Sequence, residues 1–320
     1  MADTTRTTAS TRFSSFDVYS TPYKHVGTHA ITAGILIPKT LKHGTKHPLF
    51  VKFHGGGLIT GDALYPDWFA NFLVDFLHRT NSIAVLPNYR LVPEHSGDDI
   101  LEDVRDLWRW VDDELPAYLK TIDSALEIDF DKVLINGDSA GGWPALHSAF
   151  LLPQEKVKAL LLEYPMLRRL PDAERPVQLG NAAPPLAFLD DYLANLDKEF
   201  VISKATPPDR EDLCNVLAVH YDRWEERFGT GKHLHPSKAL AKAKHFPPTL
   251  ILHGAQDGDV SLPECREFVE KVEEVLGNEV KKNVRLIVVD GGHGFDCELV
   301  EEETPWLKEE LKWLQKVWLF

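Results

Sequence analysis

The sequence is poor in cysteine and has no long apolar run. Of its 320 residues only Cys214, Cys265 and Cys297 are cysteines, and none of them forms the C-x-x-C spacing of a zinc site. An odd and low number excludes a disulfide framework, so we expect three reduced thiols. No stretch of eighteen apolar residues occurs, which argues against a membrane-spanning helix.

Basic residues are also in deficit. The 35 Lys and Arg residues are outnumbered by 49 Asp and Glu residues, which gives a net charge of −14. An acidic surface repels phosphate backbones and anionic lipids, so nucleic-acid and membrane partners are not expected. The first sixteen residues lack the apolar stretch of a secretory signal. We therefore expect a cytoplasmic protein, and a homodimer is compatible with the sequence.

The rest of the composition is that of a globular protein, with 43% hydrophobic residues. Continuous apolar segments alternate with segments of helical periodicity, which predicts a mostly parallel sheet with helices on both faces. Between about 167 and 246 this alternation stops, and prolines and charged residues become frequent. We expect three parts: a first core segment at 1–166 with a disordered N-terminus to about 15, a helical cap at 167–246, and a second core segment at 247–320.

The sequence G-x-S-x-G at residues 137–141, here called the serine turn, follows the apolar strand segment 133–135. Such a strand-to-helix turn is so tight that the residues around the serine must be small. The turn exposes the hydroxyl of Ser139 at a helix N-terminus, where the helix dipole favours negative charge. Ser139 is therefore the predicted nucleophile.

Three glycines follow His54 at the end of another apolar strand; residues 54–57 are here called the glycine loop. Acyl transfer places negative charge on an oxygen that backbone N–H groups must approach closely, and glycines permit that approach. Gly56 and Gly57 are the expected donors of an oxyanion hole. The N–H of Ala140, directly after the nucleophile, is the third.

An acid and a base follow the serine in the order expected for this kind of site. Asp257 follows a predicted strand in HGAQD, and His293 lies on a glycine-rich loop after the next strand. The histidine would take the serine proton, and the aspartate would hold its tautomer. Asp259 is the alternative acid. His253 is expected to pack inside its strand, and Asp138 to shape the turn.

Six motifs follow one another along the chain: HGGG at 54–57, YRLVPE at 89–94, GDSAGG at 137–142, Tyr164-Pro165, HGAQD at 253–257 and GGHGF at 291–295. Taken in this order, they resemble the hormone-sensitive-lipase-like branch of the α/β hydrolases. The resemblance covers roughly residues 48–300, and the cap matches it only in position.

The resemblance implies an α/β-hydrolase fold with a helical cap, and a carboxylesterase that needs no metal or organic cofactor. It also implies that Arg90 and Glu94 brace the region behind the glycine loop. Leu58, Trp143-Pro144 and Gly258-Asp259 depart from the usual pattern of the branch. An indole at Trp143 could stack on substrate or pack in the core beneath the cap.

An acyl pocket is expected to be apolar and aromatic, with Tyr65, Trp68 and Trp143 as its candidate residues. The leading hypothesis is a serine carboxylesterase that acts on small apolar or aromatic esters through an acyl-enzyme. The alternatives are a lactonase, or a lyase, decarboxylase or acyl transferase of natural-product metabolism on the same fold. A binding protein that has lost catalysis is disfavoured because His293 is present.

Overall fold

A computed structural model describes residues 6–167, 177–178, 181–197 and 199–320. In this part of the chain, eight strands form one sheet: β1 Phe16–Val26, β2 His29–Pro38, β3 His47–Phe53, β4 Ile83–Pro87, β5 Ile128–Asp138, β6 Val157–Glu163, β9 Thr249–Gly254 and β10 Val284–Val289. Their order across the sheet is β1-β2-β4-β3-β5-β6-β9-β10. β2 runs antiparallel to both of its neighbours, and the remaining strands, from β4 across to β10, are parallel to one another.

Helices cover both faces of this sheet, so its central parallel strands β3, β4, β6 and β9 are buried on both sides. The helices of the core are α1 Asn71–Thr80, α2 Gly97–Asp113, α3 Leu115–Ile122, α4 Gly142–Leu151, α9 Leu262–Leu276, α10 Asn278–Lys281 and α11 Pro305–Leu319. One apolar cluster joins the sheet to α1 and α11, and the other joins it to α2, α3, α4 and α9. The predicted mostly parallel α/β sheet is therefore confirmed.

Short helices fill the described part of the segment between β6 and β9. They are α5 Leu186–Ala194, α6 Glu211–Val219, α7 Tyr221–Phe228 and α8 Pro236–Leu240, and two residue pairs, β7 Val177–Gln178 and β8 Asn181–Ala182, form a small separate ladder. The segment contacts the loops that follow β3 and β4: Ala205 pairs with Gly61, and Arg227 Nε donates to the carbonyl of Pro93. Part of the predicted cap, including residues 168–176, lies outside the described residues.

The expectation of disorder up to about residue 15 is wrong for residues 6–15. Arg12 is completely buried, and its guanidinium donates to the carbonyl of Cys297 at 3.0 Å and to the Glu298 carboxylate at 2.8 Å. The backbone N–H of Thr7 donates to Asn71 Oδ1 at 3.0 Å. These contacts hold the segment against the start of α1 and the loop that follows β10, partners that local composition cannot reveal. Residues 1–5 lie outside the described residues.

No helix within the described ranges is both long and apolar enough to cross a bilayer.

Candidate active site

The serine turn joins β5 to α4 at the carboxyl end of the sheet. Ser139 has a φ of 50°, a value that non-glycine residues rarely adopt. A Cβ on Gly137 would come within 2.2 Å of the Gly141 carbonyl oxygen, and one on Gly141 within 2.1 Å of the Phe53 carbonyl oxygen. Glycine is therefore required on both sides of the serine, and the strained turn directs the hydroxyl away from the sheet.

Ser139, His293 and Asp257 form one continuous chain of hydrogen bonds. His293 Nε2 lies 3.0 Å from Ser139 Oγ, where the neutral ring accepts the hydroxyl proton. His293 Nδ1 lies 3.0 and 3.1 Å from the two oxygens of Asp257 and donates to them. The Asp257 side chain is fully buried, whereas 19% of the His293 side chain is exposed. The imidazole of His293 is thus accessible to a small molecule, whereas the carboxylate bonded to it is shielded from water.

The charges of this pair stabilise each other. Burial acts to lower the pKa of His293, but the hydrogen bond and the negative charge of Asp257 outweigh it and raise the pKa above its ordinary value. For Asp257, burial acts to raise the pKa, but the bond from His293 holds it below its ordinary range, helped by the N–H groups of Val260 and Asp259. Asp257 is therefore ionised at neutral pH.

The structure distinguishes the acid Asp257 from its alternative Asp259, and the base candidate His293 from the nearby His253. Asp259 donates its backbone N–H to Asp257 Oδ1 at 2.8 Å, so it contributes to the surroundings of the other carboxylate. His253 is fully buried, and its Nδ1 bonds to the carbonyl of Gly254 at 3.0 Å. Burial also lowers the pKa of His253.

The glycine loop leaves β3 next to the serine turn. Gly56 has a φ of 96°, and a Cβ there would lie 2.1 Å from the Thr60 carbonyl oxygen and 3.1 Å from the ring of Trp68. Tyr89 holds the start of the loop in place. The His54 ring stacks on the Tyr89 ring with 4.4 Å between their centroids, and the Tyr89 hydroxyl donates to the His54 carbonyl at 2.6 Å. The loop backbone is thus held in a shape that side chains other than hydrogen would disrupt.

The remaining proposed oxyanion residues lie on the same two segments. Gly57 has a φ of 66°, so it too adopts a backbone conformation that favours glycine. Ala140 is fully buried in the short turn Ser139–Gly141 that leads into α4. The N–H groups of the glycine loop and of the residue after the serine therefore belong to segments that neighbour each other at the carboxyl ends of β3 and β5.

The three aromatic candidates for substrate contact do not share one environment. Tyr65 and Trp68 are partly exposed and meet edge to face at 5.3 Å beside the glycine loop. Trp143 is 1% exposed, and its indole N–H donates to the Leu234 carbonyl at 2.6 Å. The Trp143 ring also contacts Phe228 of α7. In the structure, Trp143 therefore packs in the core beneath the cap and does not face a substrate site.

Arg90 and Glu94 form different contacts, although both belong to YRLVPE. Glu94 is 2% exposed and pairs with Arg210 at 2.7 Å, and Arg210 Nε donates to the carbonyl of Ile59 just after the glycine loop. Arg90 instead binds Asp103 on α2 through its Nε. Glu94 therefore braces the loop through the cap, and Arg90 fastens α2.

Sequence reasoning missed a buried group of ionisable side chains behind the serine turn. Lys52 Nζ bonds to Asp138 Oδ1, and Lys52 is only 4% exposed. Glu163 and Asp296 lie in the same group, with exposures of 1% and 0%. The signal was present: Lys52 interrupts an otherwise apolar strand, and a lysine that cannot reach water needs a carboxylate.

Several known proteins are similar to this chain in sequence. A family model described as the α/β-hydrolase fold matches residues 50–296. The chain is 27% identical over 317 residues to the probable carboxylesterase M8 of Phoma sp., which covers 96% of this chain and 98% of that protein. It is 28% identical over 191 residues to the probable carboxylesterase clz11 of Cochliobolus lunatus, covering 57% of this chain and 87% of that one.

Among solved structures, the esterase LipW from Mycobacterium marinum matches with a TM-score of 0.60 at 21% identity, covering 96% of this chain and 83% of that chain. At that identity the likeness concerns the fold alone. The family match extends over most of the chain and includes both the glycine loop and the serine turn. The chain therefore belongs to the α/β-hydrolase fold family, in the hormone-sensitive-lipase-like branch that its HGGG and GDSAGG motifs indicate.

Proposed function

We propose that this chain is a carboxylesterase that hydrolyses esters through an acyl-enzyme on Ser139. The observation that carries the proposal is the unbroken chain of hydrogen bonds from Ser139 Oγ through His293 to the buried Asp257. A hydroxyl is a weak nucleophile at neutral pH unless a base removes its proton as it attacks. The similarity to carboxylesterases agrees with this chemistry.

In the proposed reaction, Ser139 Oγ attacks the ester carbonyl while His293 Nε2 takes its proton. The imidazolium is stabilised by Asp257 and returns the proton to the departing alcohol, which leaves an acyl group on the serine. Water then attacks the acyl-enzyme with His293 as base again, which releases the acid and restores the serine. We assign the negative oxygen of each tetrahedral intermediate to the N–H groups of Gly56, Gly57 and Ala140. No metal or cofactor takes part.

The substrate is proposed to be a small apolar or aromatic ester. Trp68 offers a partly exposed ring 3.1 Å from the position that a Cβ would occupy on Gly56, and the partly exposed ring of Tyr65 packs against it edge to face. Residues 167–246 are proposed to act as a cap above this site, with Trp143 packed beneath it rather than facing substrate. A homodimer and a cytoplasmic location stay predictions from the sequence.

Turnover of p-nitrophenyl acetate and butyrate by the purified chain tests the proposal, together with labelling by a fluorophosphonate probe located by peptide mass analysis. Ser139→Ala should abolish both turnover and labelling, since the serine forms the covalent bond. Ser124→Ala, which changes an exposed serine far from the serine turn in sequence, is the matched control and should behave as the unaltered chain. Turnover that survives in Ser139→Ala would refute the assignment.

The same experiment separates the competing chemistries. A lactone and an acetylated aromatic compound are included beside the simple esters. If Ser139 is labelled but no ester or lactone is hydrolysed, the chain is a lyase, decarboxylase or acyl transferase on the same fold. If Ser139 is not labelled at all, the nucleophile has been assigned wrongly.

A further inference from the structure

The register of three neighbouring strands brings together the buried ionisable side chains behind the serine turn. Lys52 of β3 lies level with Asn136 of β5, and Asp138 of β5 lies level with Glu163 of β6. Because alternate residues of a strand share a face, Asn136 and Asp138 point to the same side, the side covered by α1 and α11. Asp296, in the loop after β10, completes the group from above.

Asp138 lies between this group and the two loops of the candidate site. One carboxylate oxygen, Oδ1, accepts from Lys52 Nζ. The other, Oδ2, lies 2.6 Å from the position that a Cβ would occupy on Gly55, and the Cβ of Ser139 lies 3.2 Å from that position. The carboxylate is therefore packed against the backbone of the glycine loop and is covalently adjacent to the nucleophile.

A carboxylate in this place needs a counter-charge. The tetrahedral intermediate places a negative oxygen on the same two loops, and like charges in a buried site repel strongly. An unpaired carboxylate beside residues 55–57 could also turn to accept from the N–H groups that the oxyanion requires. A single ammonium on Oδ1 prevents both effects, because it neutralises Asp138 and holds its orientation.

We propose that Lys52 is a positioning residue for ester hydrolysis, which keeps the Asp138 carboxylate neutralised and turned away from the amides that receive the oxyanion. The proposal rests on the proposed function, since it assigns a role in the same reaction. Lys52 does not touch substrate. It acts through Asp138 on the geometry and the electrostatics of the glycine loop and the serine turn.

The other buried groups near Asp138 cannot supply the positive charge that Lys52 provides, because the nearest of them, Glu163 and Asp296, are carboxyl groups. Burial raises the pKa of Glu163, reinforced by the charge of Asp296, and burial raises the pKa of Asp296 to about 6. The charge of Lys52 acts on both of them as well as on Asp138. The titratable groups whose charge interacts with Asp138 are Lys52, His54, Tyr89, Glu163, Tyr164, His293, Asp296 and Cys297.

The first test replaces Lys52 with methionine, which keeps the length of the side chain but removes the charge. The matched control is Lys24→Met, because Lys24 is also only 10% exposed and bonds the buried Asp103, away from the site. Rates are normalised to the active sites titrated with an organophosphonate, and thermal unfolding is followed in parallel. We expect kcat of Lys52→Met to fall by about 10- to 100-fold with KM changed by less than about threefold, and kcat of Lys24→Met to stay unchanged.

The pH profile distinguishes positioning from simple loss of stability. Without the ammonium of Lys52, the negative charge of Asp138 acts on His293 unopposed, so the pKa of His293 should rise further above its ordinary value. The acidic limb of the kcat/KM profile should therefore lie at higher pH in Lys52→Met than in wild type. A limb at the same pH in both proteins, or a kcat within about threefold of wild type, overturns the proposal.

Asp138→Asn and the double variant Lys52→Met/Asp138→Asn test the positioning role even if Lys52→Met alone does not fold. In Asp138→Asn the carboxylate charge is gone, so adding Lys52→Met should change kcat by less than about threefold. A much larger loss in the double variant would show that Lys52 acts independently of Asp138, and would overturn the proposal. Ser139→Ala is measured alongside: if it stays inactive while Lys52→Met keeps full kcat, the positioning role fails and the proposed function stands.

Discussion

Replacing Asp257 with asparagine is the sharpest test of the acid assignment, because it preserves shape and changes one chemical property. The carboxylate accepts from His293 Nδ1 and from the backbone N–H groups of Asp259 and Val260 at 2.8 and 2.9 Å. Asparagine has one oxygen in place of two, and its NH₂ group can only donate. If that group faces the histidine, Nδ1 must accept and Nε2 carries the proton.

The expected loss follows from this change of tautomer. A His293 ring protonated at Nε2 has no lone pair for the hydroxyl of Ser139 at 3.0 Å, and the imidazolium that forms during the reaction loses its buried anion. Exchanging the carboxylate for an amide in such a triad lowers kcat by about 10³- to 10⁴-fold. Asp259→Asn is the same chemical change two residues away. It should cost less than about tenfold, since the Asp259 carboxylate acts on His293 through its charge, whereas Asp257 is hydrogen-bonded to it.

Steady-state hydrolysis of p-nitrophenyl butyrate at mildly alkaline pH measures both variants, with circular-dichroism melts to show that they fold. Slow organophosphonate labelling of Asp257→Asn would show that the serine remains accessible. If Asp259→Asn proves the more damaging change, Asp259 is the acid and the assignment is wrong. If both variants keep more than about a tenth of wild-type kcat, neither carboxylate orients the base.

Three further outcomes follow from the charges of the structure. Because the pKa of His293 is raised above its ordinary 6.5 and the neutral ring is the base, kcat/KM should rise with pH through an apparent pKa above 6.5, and an acidic limb below that value would contradict the hydrogen bond to Asp257. Burial raises the pKa of Glu163 above its ordinary 4.5, so the folded chain holds a proton that the unfolded chain releases; the resulting stability is complete below 4.5 and is lost as pH rises through the folded pKa. The melting temperature of Glu163→Gln should therefore fall less than that of wild type as the pH is raised from 4.5 upward, and an equal pH dependence over that whole range would refute the raised pKa. Arg210→Met leaves the buried Glu94 carboxylate without its cationic partner and should lower the free energy of unfolding in urea by about 3–5 kcal/mol. Adding Glu94→Gln should restore stability, because it removes the uncompensated charge. If the double variant is no more stable than Arg210→Met, the cost does not come from an unpaired charge.

The mostly parallel sheet, the serine turn and the glycine loop could be predicted from the sequence alone. A strand that runs into G-x-S-x-G can turn in few ways, because any side chain at Gly137 or Gly141 would collide with backbone atoms of the serine turn or of β3. Buried parallel strands are continuously apolar, so they can be recognised without knowing their neighbours. Lys52 could have been recognised in the same way, because a charged residue inside a buried apolar strand predicts a buried carboxylate partner.

Tertiary structure alone decided the questions in which two nearby residues compete or in which the partner is distant in sequence. Asp257 and Asp259 leave the same strand two residues apart, and only the path of the loop brings one of them to His293. Trp143 turned inward because a carbonyl of the cap, at Leu234, accepts its N–H. Arg12 became part of the core because its acceptors, at Cys297 and Glu298, lie almost the whole chain away. Local sequence specifies which conformations a segment can adopt; only the assembled fold specifies which distant group will satisfy a polar atom once water has been excluded.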